Sequence, residues 1–237
     1  MVSNTLDHRQ TPVTAPRPQR RPKRPKGLIA LVVLVVAFLA ASLPPYVTLD
    51  PSTSIIPINA QIALHYPILL GHILFGTITL FTVCLQLWPR IRRNRPKIHR
   101  ISGRTYVFAG MIPTCVLALV VVPMGELNLI GASGATVWAS LGLFFTIRGY
   151  LAGRARDTRE HRRWMIYSFA TAMGLATGRV IAVGVPAIPG VPDSPDVFFP
   201  LGGFWLGWMV NLAIAYWWLN IKPARARAKA KASRVPA

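Results

Sequence analysis

The sequence predicts an all-α integral membrane protein with six transmembrane helices and both termini in the cytoplasm. Three observations predict it. Of 237 residues, 52% are hydrophobic and only 14% are charged, with a mean hydropathy of +0.42; a soluble domain carries about a quarter charged residues. The apolar residues gather into six runs, each near the roughly 20 residues that a helix needs to cross about 30 Å of hydrocarbon. The lysines and arginines fall almost wholly into alternate segments between those runs.

Taken in order, residues 1–26 form a polar, proline-rich, basic tail without apolar periodicity, expected to be disordered and cytoplasmic. The first run is 27–43, "GLIALVVLVVAFLAASL", stopped by Pro44 and Pro45. A signal peptide is the competing reading. The long basic stretch before the run and the weak cleavage pattern ("AAS" followed by "LPP") favour an uncleaved span. The other spans are expected at 62–88, 106–124, 135–151, 164–185 and 201–219. They complete a membrane domain over 27–220, ahead of a basic cytoplasmic tail at 221–237. Prolines inside spans, such as Pro67 and Pro113, are tolerated better in lipid than in soluble helices. "GASGA", at 131–135, reads as a short turn before the fourth helix.

The net charge of +20 comes from 27 basic residues against seven acidic ones. All but Arg148 and Arg179 lie in the N-terminal tail, the segment after span two, the segment after span four, or the C-terminal tail. The opposite loops, 45–61, 125–134 and 186–200, hold no lysine or arginine and carry Asp50, Glu126, Asp193 and Asp196. The positive-inside rule therefore places both termini in the cytoplasm of a multi-pass inner-membrane protein. The basic segments suit anionic lipid headgroups. Nucleic acid is not an expected partner, because the tails lack interleaved aromatic residues and no nucleic-acid-binding fold signature is present. A homo-oligomer is left open. Cys84 and Cys115 both lie in apolar runs and read as small buried residues, not as a disulfide framework.

Ionisable residues inside a bilayer are costly and mark function. His65 and His72 are two helical turns apart on span two and face roughly the same way. Arg179, in the outer half of span five, is at a depth comparable to His72. Together His72 and Arg179 can line an outward polar pocket, to which Gln86 on span two is added as a further polar candidate. The alternative is that each hydrogen-bonds a neighbouring helix. Arg148 is one turn from the inner end of span four and can snorkel to the interface, and Glu126 is expected at a solvated helix end.

Two other histidines stand before apolar runs, in "HRISGR" (His99 to Arg104) and "HRRW" (His161 to Trp164). Both are expected on the cytoplasmic side, at the starts of spans three and five. Two imidazoles on facing helices can ligate one b-type haem, with Arg100, Arg104 and Arg162 meeting its propionates. The plainer alternative is a pair of solvated histidines in basic loops, with Asp157 and Glu160 holding His161 locally. GxSxG, Walker-type phosphate loops, HExxH and paired-cysteine zinc patterns are missing, as is an Asp-rich magnesium motif. No segment repeats at a fixed period. Two functions therefore stand: a redox or cofactor-binding protein using His99 and His161, and a small transporter or sensor using His72 and Arg179.

"HILFG" at His72, Gln86, "HRISGRTYV" at His99, "HRRWM" at His161 and Arg179 together resemble the domain-of-unknown-function (DUF) 2306 family of bacterial membrane proteins. The resemblance runs from about His72 to Arg179. The family pattern usually has arginine and tyrosine after "WM", where this chain has "WMIYSFA" with Tyr167 and Phe169. The resemblance implies a membrane location and no particular activity. In layout the chain is also similar to the ascorbate-dependent two-haem b-type cytochromes, which pair histidines of spans two and four and of spans three and five. Span four here has no histidine, so that likeness implies one haem b at most, on the cytoplasmic side.

Overall fold

Apolar runs decide where helices form in this chain, and polar residues decide where they stop. A computed structural model describes residues 26–184, 188–189 and 200–225. Asp193, Asp196 and the basic residues of both tails, apart from Lys26, Lys222 and Arg225, lie outside the described residues. Among the described residues every regular element is a helix, and there is no strand.

Helix α1 is Lys26–Ser42. A strap over residues 43–64 follows, with short turns at Pro44–Val47 and Pro51–Thr53. Helix α2 is His65–Leu87, and α3 runs over Pro96–Met124 after a short basic turn at Pro89–Asn94. Helix α4 is Leu129–Arg154, α5 is Thr158–Gly184, and α6 covers 201–221. Four of these, α2 to α5, are long and apolar enough to cross a membrane, and the apolar helix Gly27–Ser42 is shorter.

The helices outrun the apolar segments that announce them. Pro96 sits in the first turn of α3, where a missing N–H costs nothing, so the helix begins ten residues before Tyr106. Asp157 caps α5 by accepting from the N–H groups of Arg159 and Glu160. Asn128 caps α4 by accepting from Gly131 N–H at 2.9 Å. That cap corrects the reading of "GASGA" as a turn. Gly131 and Gly134 lie inside α4, because α6 passes so close that a Cβ at Gly134 would stand 2.7 Å from the Trp205 ring. Helix α3 widens into a π turn over Val107–Met111, just before Pro113, whose absent N–H interrupts the ladder.

Helix α4 packs along α5, α2 along α3, and α5 against α6, while α1 lies at the side against α2 and α5. Small residues bring the backbones together, as expected in lipid. A Cβ at Gly178 would stand 2.6 Å from the Gly202 carbonyl oxygen, and one at Gly207 would strike the Gly174 carbonyl. The core gathers Val83, Tyr106, Met111, Cys115, Ala139 and Ala176. Both cysteines are free thiols, Cys115 buried and Cys84 half-buried.

Polar side chains in this interior bond to one another and to backbone carbonyls. Ser168 Oγ is 2.6 Å from Tyr106 Oη and 2.7 Å from Thr146 Oγ1, which ties α3, α4 and α5. Asn211 on α6 donates to the Ala170 carbonyl and pairs with Thr177.

Candidate functional site

At the end of the bundle covered by the strap, the helices do not close completely. Two adjoining cavities remain, about 140 and 690 Å³ in volume. His72, Trp138, Leu175, Arg179 and Phe204 line both. His65 and Glu126 belong to the smaller, and Tyr46 with the inner face of α1 to the larger. The strap is held down by Tyr46, Ile56 and Ile58, which pack on Tyr66, Leu69 and Val121.

Each histidine here is fixed by one backbone partner. The Asn59 N–H donates to His65 Nδ1 at 2.9 Å. A nitrogen that accepts carries no proton, so neutral His65 has its proton on Nε2. His65 is only 1% exposed, and its Nε2 lies against Gly125, where a Cβ would stand 3.6 Å away. His72 is the converse. Its Nδ1 lies 2.9 Å from the Thr114 carbonyl oxygen, which can only accept. The Nδ1 of His72 therefore bears the proton, and its Nε2 is left with a lone pair. The Trp138 ring stands edge-on to His72 with 6.4 Å between centroids, and its Nε1 donates to the Thr171 carbonyl.

The cavity thus combines a guanidinium at Arg179, a ring N–H at His65, a ring lone pair at His72 and the Glu126 carboxylate at an exposed edge. Two donors face two acceptors, and the surrounding wall is mainly apolar. Such a site can hold an oxygen-bearing head group and exchange a proton with it at His72 Nε2.

Gln86 does not belong to this set. It lies fourteen residues beyond His72, roughly 21 Å along α2, and is spent on joining α2 to α3. Its Nε2 donates to the His99 carbonyl at 2.8 Å and to Ser102 Oγ at 2.6 Å.

His99 and His161 lie at that other end, within electrostatic reach of each other and of Arg92. His161 is not held by Asp157 or Glu160, because the Asp157 carboxylate is spent on the helix cap and Glu160 lies 3.6 Å from Arg163. Its Nδ1 instead donates to the Gly149 carbonyl at 2.7 Å, and the ring fits over Gly153, where a Cβ would stand 2.8 Å from Nδ1. His99 Nδ1 is buried without a hydrogen-bond partner. Arg100 and Arg104 are exposed, and Arg162 rests over the Trp218 ring at 5.4 Å. Arg148 likewise lies over Trp164 at 5.4 Å. Among the described residues, no three His, Cys, Asp or Glu side chains converge as a metal site.

Sequence reasoning weighed ionisable groups and passed over Trp138, Tyr46 and Phe204. The one available signal was Trp138, a ring N–H in the middle of an apolar run that must find an acceptor.

A family model described as a predicted membrane protein (DUF2306) matches residues 69–219. No curated protein and no solved structure matches the chain.

Proposed function

Starting from the premise that the chain belongs to the DUF2306 family of predicted membrane proteins, whose description carries no activity, we propose that it is a multi-pass inner-membrane protein that binds an acidic ligand in the His72–Arg179 cavity, as a small transporter or sensor. The observation that carries the reading is that one cavity is lined by both residues, from helices more than a hundred residues apart in sequence. A guanidinium keeps its charge, and Arg179 lines a cavity with room for an anion beside it. Six spans with cytoplasmic termini complete the proposal and put the strap, hence the cavity mouth, on the outer face. Helix α1 and the helix over 201–221 supply the two spans beyond the four long ones. Membrane lipid is the standing partner, with anionic headgroups meeting the basic segments.

Trp138 gives the test a built-in reporter. Butyrate is titrated into the detergent-purified protein while tryptophan fluorescence is followed. The expected result is a saturable change that disappears in Trp138→Phe and in Arg179→Gln. A response that survives Arg179→Gln would overturn the pocket.

A second reading has its own observation. His161 Nδ1 donates to a carbonyl and so keeps the Nε2 lone pair, the arrangement of a ligating imidazole, and His99 is close enough to interact with it electrostatically. These two residues would hold one haem b, which would supply one-electron transfer. Expression with haem supplied, followed by oxidised and reduced spectra, decides it. A colourless protein ends this reading, whereas a haem spectrum lost in His99→Ala or His161→Ala and kept in His65→Ala supports it.

A further inference from the structure

We infer that the ligand is a long-chain carboxylate, with its acid head at Arg179 and His65 and its tail in the larger cavity, entering from the bilayer between α1 and α5. This rests on the pocket reading above and extends it to a ligand class.

The two chambers differ in chemistry. The smaller one collects the polar tips, His65, His72, Arg179 and Glu126. The larger keeps His72 and Arg179 at its polar end and then runs past Leu34, Ala37, Phe38 and Ala41 of α1 and Val180 and Val183 of α5. Leu34 to Ser42 alone covers about 12 Å at the helical rise. Packed interiors leave few voids larger than a water molecule, so about 690 Å³ is not a packing defect. It falls within the range of roughly 300–1,000 Å³ typical of small-molecule sites. The hydroxyls of Thr77, Thr79 and Thr114 on its wall are bonded to their own helix carbonyls, and the rest of the wall is mainly apolar, a poor place for water, which needs polar partners. A chain of methylenes fits.

The α5 side of this chamber is exposed among the described residues. Val180 and Val183 are 56% and 74% exposed, and a Cβ on Gly184 would meet nothing within 4 Å. Over residues 27–42 of α1, only Val35 is buried among the described residues. A tail can therefore slide in between α1 and α5 without first crossing water.

The head is set by what faces it. His65 has its Nδ1 occupied by the Asn59 N–H, so toward the cavity it can only donate. Arg179 also only donates. A head group that accepts from this donor pair, with one formal negative charge, is complementary to them. Glu126, which also lines the smaller chamber, repels a second charge and so disfavours a phosphate monoester, which carries nearly two. His72 Nε2 can take the proton that a carboxylic acid brings out of the bilayer. The tail gains little on leaving lipid for an equally apolar chamber, so the head decides selectivity and the chamber decides where the tail lies.

The experiment uses the full chain in lipid nanodiscs and palmitate carrying a diazirine at its chain end. Ultraviolet labelling is expected within residues 34–42 of α1 or 180–184 of α5. Unlabelled palmitate should compete, and hexadecanol, which has the same tail without the charge, should not. Arg179→Gln removes a charge-assisted contact and should reduce labelling about tenfold or more. Ala37→Trp fills the chamber from the peripheral helix without touching the head, and should do the same at an unchanged melting temperature. Labelling spread over lipid-facing residues such as Phe81 and Ile214, equal competition by hexadecanol, or indifference to Ala37→Trp would each overturn the proposal. If palmitate fails while butyrate still acts on Trp138, the long tail is wrong and the pocket stands. If neither acts, both fall.

Discussion

Placing one methyl group at the crossing of α5 and α6 should cost more stability than its size suggests. In Gly207→Ala the added Cβ overlaps the Gly174 carbonyl and stands 2.5 Å from Gly178 N and 2.6 Å from Gly178 Cα. All three atoms are backbone, so no side chain can rotate away and the two helices must part. Overpacking of this kind costs about 1–3 kcal/mol. For a chain of this size each kcal/mol moves Tm by roughly 2–4 °C, so a fall of about 2–12 °C is expected. Gly203→Ala is the control on the same helix. A Cβ there meets nothing within 4 Å, and alanine favours helix over glycine by about 1 kcal/mol. Its Tm should stay level or rise. Thermal unfolding of the purified variants, followed by intrinsic fluorescence, reads both. Equal shifts in the two variants would refute a backbone-to-backbone crossing. Because Arg179 adjoins Gly178, Gly207→Ala should also weaken the butyrate response.

Three other outcomes follow from the structure. Ser168→Ala removes two hydrogen bonds inside the bundle and should destabilise by about 1–3 kcal/mol, seen as a lower Tm; an unchanged Tm would mean that the Tyr106–Ser168–Thr146 contacts contribute nothing. Arg156 ends α4 in the left-handed region at φ 61°, with its N–H bonded to the Gly153 carbonyl and the Asp157 N–H to the Ala152 carbonyl. Arg156→Gly should relieve about 1 kcal/mol of strain and raise Tm by roughly 2–4 °C. Reporter fusions after residues 50, 130 and 193 should report the outer face and those after 95, 157 and 230 the cytoplasm, and any exchange between the two sets breaks the six-span proposal.

What was legible in the sequence depended on patterns that a single helix can carry. Among the described residues, apolar runs located the four helices long and apolar enough to cross a membrane and the shorter Gly27–Ser42, and helical rise was enough to pair His72 with Arg179, which line the same cavities. Helix ends were less legible, because α3 starts in the basic stretch "PKIHRISGR", where periodicity and not hydropathy continues the helix. "GASGA" misled because glycines signal a turn in isolation and a close crossing in a bundle. Gln86 was placed with the wrong site because its partners, the His99 carbonyl and Ser102, lie across a turn that sequence spacing does not resolve. The backbone partners of the histidines were invisible for a more general reason. The carbonyls of Thr114 and Gly149 exist at every residue, so no side-chain identity announces which one an imidazole will find.

The central claim is that His72 and Arg179 act on one ligand, and a double-mutant cycle measures it directly. Butyrate affinity is determined for wild type, His72→Leu, Arg179→Gln and the double variant, with Trp138 fluorescence as the readout. A shared ligand predicts that the two losses fail to add, leaving a coupling energy above about 0.5 kcal/mol. Losses that add within that margin would mean that the two residues never meet the same molecule, and would contradict the account.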